Sequence, residues 1–398
     1  MLLVFAMILG SVTPGFAHTF EDETVYEETN TSSLGGIMPY GVLSEATTPG
    51  ALGYEFNSET GEITKYKGAE SVIEIPEKFK VGEDIISVAK IGSNAFSSNN
   101  NITKVTIPAG IETIGNAAFS NCTNLSEVSL NEGLNEIGEG AFLNTGIVKI
   151  TIPSSVTTLG GSIFSGVSSL KEVTLNEGIK EIPSFMFSQT SIEKIDIPGS
   201  VETIGERAFY QCNKLKEINI SETSDNDITI KNLAFAECMA LETITIPGRV
   251  KSIGEEAFSY CTKLKEITLK EGLEVIGDRA FSECSALTNI NLNEGLKRIG
   301  ESAFDSAIAT HVTIPSTIEY IGSMIFGYNE EMEEILILQE ESKIEIDEWA
   351  FFCQKDVVVF RPTAGDIKTP EELDYEFNSE TGEITKYKGA ESVIEIPE

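Results

Sequence analysis

Histidine is almost missing from this chain: His18 and His311 are the only two in 398 residues. Nucleophilic systems of the Ser-His-Asp or Cys-His kind need an imidazole held by a partner. His18 falls next to an apolar leader, so no such set can be completed. Basic residues are also scarce, 28 Lys and Arg against 63 Asp and Glu, for a net charge of −35. Nucleic acid and anionic membranes are both gripped by Lys/Arg clusters, and neither is expected as a partner. Beyond the leader, no apolar run approaches the ~20 residues of a membrane-spanning helix. Residues of 41% hydrophobic character do remain, enough to build a core.

The chain opens on a short apolar run, Leu2 to Leu9, followed by Gly15-Phe16-Ala17, a small-x-small arrangement. Residues 1–17 are therefore read as an export signal, and no membrane insertion is expected after its cleavage. One departure is that no Lys or Arg precedes the run. Residues 18–50 are polar and rich in Thr, Ser, Glu and Gly, as a flexible leader would be.

Self-similarity dominates the rest. An alanine-phenylalanine dipeptide or a close variant ends at Phe96, Phe119, Phe142, Phe164, Phe187, Phe209, Phe235, Phe258, Phe281, Phe304, Phe326 and Phe351, at intervals of 22 to 26 residues. Such a period predicts a repeat solenoid. A full unit runs from Leu241 to Cys261 (LETITIPGRVKSIGEEAFSYC). Ile244 and Ile246 alternate as one face of a strand. Pro247, lacking an N–H, ends that strand. Val250 and Ile253 turn a second short segment inward, and Gly254 suits a turn with positive φ or a tight backbone. Phe258 then fills the interior. No unit of this length can bury these groups alone, whereas stacked units share one core. Units with Ile-Pro (Pro108, Pro153, Pro198, Pro247, Pro315) largely alternate with units carrying Glu-Gly (Glu132, Glu177, Glu271, Glu294), which suggests growth by duplication of a pair.

This order of Ile-Pro, Ile-Gly and Ala-Phe-x-x-Cys over roughly residues 70 to 360 resembles the BspA-like, or Treponema-type, leucine-rich repeats. The resemblance implies a leucine-rich-repeat horseshoe, mostly β, with a parallel sheet on its concave face and short turns or 3-10 segments elsewhere. It also implies export to a bacterial or protist surface and adhesion to host matrix proteins or other cells. It brings no catalytic residues and no cofactor.

The organisation expected is a hairpin and first rung over 51–90, the solenoid over 91–360, and a linker over 361–372. Residues 373–398 repeat residues 52–77 with one difference, Gly53 against Asp374. The copy stops mid-repeat, so the chain is expected to be a piece of a longer array unless the copy itself serves as a cap.

Cys122, Cys212, Cys238, Cys261 and Cys284 lie three residues after an anchor Phe, and Cys353 two after. A column of one thiol per rung does not converge on a metal, and parallel Cβ vectors disfavour disulfides. Free, buried thiols are expected. Residues Ser221 to Asp227 accompany the longest interval and read as a surface insertion. Asp225 and Asp227 there fall short of a calcium loop. Ile335 to Leu338 and Trp349 break the pattern, as a terminal-rung adjustment or a docking patch.

The candidate partner-binding column on the exposed side of the strands is Glu127, Lys149, Glu172, Lys194, Glu217, Thr243, Glu266, Asn289 and His311, continued by Glu334. Beside it runs a column from Thr106 and Ser129 to Thr313. Successive Glu and Lys can pair across the ladder. The reading that follows is an exported, non-enzymatic interaction protein, an adhesin for protein or glycan on host or neighbouring cells. Two alternatives are a polysaccharide-active enzyme resembling a parallel β-helix, and a passive spacer within a longer surface protein.

Overall fold

A computed structural model describes residues 47–339, 341–352, 358–360, 375–378 and 383–387. The expected export signal, nearly all of the leader, the linker 361–372 and Cys353 lie outside the described residues. The repeat builds two walls of parallel strands. The first consists of three- and four-residue strands, among them Lys149–Ile152, Lys194–Ile197, Thr243–Ile246 and His311–Ile314. Alternation sends Ile244 and Ile246 inward and Thr243 and Thr245 to solvent, giving the exposed-buried pattern of this strand. The second wall, of mostly two-residue strands, forms a six-stranded and an eight-stranded sheet.

The division between those two sheets has a local cause. The residue after the second-wall strand normally donates its N–H back one rung, as Gly160 does to Ile137 O and Gly205 to Ile182 O, both at 2.8 Å. Pro183 occupies that place between them and has no N–H, so Leu159 and Ile182 are left unpaired across the break.

Glycine at this place serves close approach rather than an unusual dihedral. A Cβ on Gly254 would lie 2.7 Å from the Asn232 amide nitrogen of the rung before. Positive φ belongs instead to residues two before and two after each anchor from Phe96 to Phe326, at 53–63° for the non-glycine ones from Asn94 to Tyr328. These left-handed residues aim alternate amides along the array. Phe119 N–H thus donates to Ala141 O at 2.8 Å, while Ala118 donates within its own turn to Gly115 O at 3.2 Å. Every second amide holds the turn and the others hold the next rung.

Inside, eleven phenylalanine rings from Phe96 to Phe326 stack face to face, with centroids 4.7 to 5.7 Å apart. All eleven are fully buried. Phe351, expected as the twelfth anchor, does not join the stack and is half-buried. It follows the 25-residue interval from Phe326, and no further ring covers it among the described residues.

The alternation of Pro and Glu-Gly units has a structural basis. Asn131 and Asn176 donate their amides back to Ile107 O and Ile152 O of the preceding Pro units. Glu132 reaches forward to the amides of Ser154 and Ser155, at 3.1 and 3.0 Å. The Glu-Gly turns at Glu132 and Glu177 therefore each clamp a Pro turn on either side.

The five described cysteines are free and buried. Each sulfur points to the carbonyl of an anchor Phe in the rung before, for example Cys122 to Phe96 O at 3.1 Å and Cys212 to Phe187 O at 3.1 Å. Burial pushes both thiols up to about 11, which keeps them protonated and unreactive.

Candidate functional site

The first wall places the expected column in register. Lys149 lies opposite Glu172, and Lys194 opposite Glu217. Farther along, Thr243, Glu266 and Asn289 line up on three successive strands, and His311 faces Glu334.

Charge divides this column into two parts. In the amino-terminal part, each lysine is paired with the next glutamate: Lys104 with Glu127 at 3.0 Å, Lys149 with Glu172 at 2.7 Å and Lys194 with Glu217 at 2.7 Å. The bond to Glu217 raises the pKa of Lys194, and the bond from Lys194 lowers that of Glu217. All six side chains are exposed, so screening by water leaves each pair little effect on stability. Their larger effect is to set register and to neutralise the face locally.

Thr243, Glu266 and Asn289, by contrast, make no side-chain hydrogen bond or ion pair with the described residues. The adjacent column repeats this division. Asn219 donates to Asp196 at 2.8 Å, while Thr245, Thr268 and Asn291 stay open on the next strands. His311 Nε2 is 4.0 Å from Glu334, and its Nδ1 is 2.9 Å from the Thr310 hydroxyl.

Two features escaped the reading of the sequence, Arg249 and a hydrogen-bond chain on the turn side. Arg249 stands where other Pro turns carry Gly110, Ser155, Ser200 or Thr317. Its buried guanidinium donates to the carbonyls of Asn226, Ser221, Gly199 and Val201, at 2.7 to 2.9 Å. It thereby pins the insertion Ser221 to Asp227 over the core, and the odd residue in a small-residue slot was the only signal for it. On the turn side, Gln189, Gln211 and Glu237 form a chain of hydrogen bonds that Tyr210 joins. At the carboxyl end of the array, Trp349, Phe352 and Val358 are more than half exposed. Trp349 and Phe352 also line an open hollow of about 380 Å³.

No cluster of three or more His, Cys, Asp or Glu side chains fit to hold a metal occurs among the described residues. None of their helices is long and apolar enough to cross a membrane.

The family model for the BspA-type leucine-rich-repeat region matches residues 89–216, 136–265 and 228–357, in six copies. No curated protein matches the chain. Among solved structures, the chain is similar to the pneumococcal vaccine antigen PcpA, at 22% identity and a TM-score of 0.50, covering 76% of this chain and 87% of that one. A leucine-rich cell-surface protein from Faecalibacterium prausnitzii is 26% identical, with a TM-score of 0.46, over 76% and 93% of the two chains. A leucine-rich-repeat protein from Bacteroides ovatus is 20% identical, with a TM-score of 0.43, over 81% and 100%. The first of these likenesses shows the fold, and the family model covers well over half of the residues. This chain belongs to the BspA-type leucine-rich-repeat family.

Proposed function

We propose that the chain is an exported, non-enzymatic interaction protein that adheres to protein or glycan on host or neighbouring cells. The observation that carries this reading is the first wall. It presents solvent-facing side chains in register, and around Thr243, Glu266 and Asn289 their hydrogen-bonding groups are not used by the protein itself. A partner can satisfy those groups without breaking an existing pair, so binding there costs less than over the Lys–Glu rungs. The apolar run Leu2 to Leu9 supports export, and the excess of acidic residues favours partners with basic or hydroxyl-rich surfaces.

The full chain applied to immobilised matrix proteins, glycans and whole cells tests this reading. Retention that falls at least tenfold for the pair Glu266→Lys and Asn289→Leu, with the thermal melt unchanged, is the expected result. Release of sugar from polysaccharide without retention on any surface would refute it.

A further inference from the structure

Among the described residues the second wall is interrupted once, and other departures from the repeat gather at the same joint. Elsewhere along this wall neighbouring rungs are tied by two kinds of backbone bond. Asn135 N–H donates to Glu112 O and Gly138 N–H to Ile114 O, at 2.8 and 2.7 Å. Glu202 likewise donates to Lys180 O and Gly205 to Ile182 O, each at 2.8 Å. Between Thr158–Leu159 and Glu181–Ile182 neither kind is made. Pro183 has no N–H to give, and the amide of Lys180 does not reach Thr157 O.

A side-chain link is missing there as well. Asn116, Asn232 and Asp278 each accept the amide of the matching residue one rung ahead, at 2.9 to 3.1 Å. Their counterpart at this joint is Gly161, which has no side chain to do so. Leu159 is only partly buried, whereas Ile114, Ile137, Ile182 and Ile204 at the same place are fully buried. The rings of Phe164 and Phe187 lie 5.7 Å apart, at the wide end of the column. The other sides of the joint hold. Strands Lys149–Ile152 and Glu172–Leu175 pair over four residues. Ser162, Phe164 and Gly166 donate their amides to the carbonyls of Ser184, Met186 and Ser188, each at 2.9 Å. A joint bonded along two sides and open on the third can turn about its bonded line.

We propose that the joint between the rungs of Phe164 and Phe187 is a hinge. It opens and closes along the second wall, while the first wall and the phenylalanine turns stay bonded. The six-stranded and eight-stranded sheets on either side are each continuous, so each group of rungs moves as one body and the angle between them changes. Gly160 and Gly161 supply backbone freedom at the open edge. Opening uncovers Leu159 further, and closing buries it.

Spin labels on the full chain read that angle. Glu112→Cys with Glu202→Cys spans four joints of the second wall, this one included. Glu202→Cys with Lys297→Cys spans four that are all paired. Both pairs are placed in a Cys353→Ser background, the five described thiols being buried. The distance distribution across the joint should be at least twice as wide as that of the second pair. Pro183→Gly restores the missing donor with the residue found at Gly138, Gly160 and Gly205, and should narrow the first distribution to the width of the second. Equal widths before that substitution, or a spread that Pro183→Gly leaves unchanged, would each overturn the proposal.

Discussion

The carboxylate of Glu177 accepts the backbone amide of Ser200, one rung ahead, at 2.9 Å. The Ser200 hydroxyl in turn accepts from Gly178 N–H at 3.0 Å and donates to Ile179 O at 2.8 Å. The two turns close on each other. The same reciprocal arrangement joins Glu132 to Ser155, and Glu294 and Thr317 complete a third clamp with Ser316.

These clamps predict a pH dependence. Backbone amides, Ser154 first for Glu132 and Gly199 first for Glu177, hold both carboxyls below their usual value of 4.5. A carboxyl depressed by folding stabilises the fold above its unfolded pKa, and that stability is lost as pH falls through the folded value. The urea midpoint should thus drop between about pH 5 and about pH 3, and drop less in the double variant Glu132→Gln and Glu177→Gln. At neutral pH, Ser200→Ala should cost about 1 kcal/mol.

Asp305 predicts the opposite sign. Burial, then the nearby charge of Glu283, raises its pKa, and its Oδ1 is buried without a hydrogen-bond partner. A raised carboxyl stabilises the fold below its unfolded pKa and ceases to as pH rises through the folded one. Asp305→Asn should therefore raise the urea midpoint at neutral pH, with the gain shrinking in acid.

Arg249→Met should cost roughly 3 kcal/mol or more, since four carbonyls lose their donor inside the protein. Hydrogen exchange should quicken first in the insertion Ser221 to Asp227, before the flanking rungs respond.

Phe209→Ala, deep in the ring column, should cost about 3–5 kcal/mol and lower the thermal midpoint of the whole array. Phe351→Ala, at its half-buried end, should cost clearly less.

Gly254→Ala tests the close approach of rungs. With a Cβ 2.7 Å from Asn232 N, the backbones must separate, at an expected cost of about 1–3 kcal/mol in a urea titration.

The regular features were legible because each repeat obeys the same local rules. Apolar spacing marked Ile244, Ile246 and Phe258 as interior, and alternation marked Thr243 and Asn289 as exposed. Gly254 was read correctly as a tight place, but positive φ was not its reason. The left-handed positions carry Asn, Arg, Leu, Glu and Met, so no residue type announces them. The stack of neighbouring rungs imposes that conformation, and a single unit cannot reveal it.

The period and composition of the chain determined by themselves that one hydrophobic column runs through equal rungs, since only stacking can bury so short a unit. Tertiary structure decided what depends on the neighbour one rung away. It selected which lysine meets which glutamate, where Pro183 divides a wall, how Arg249 spans three turns, and which polar groups around Asn289 are left for a partner. Those outcomes depend on distances between residues more than twenty positions apart, and register, not local pattern, sets such distances.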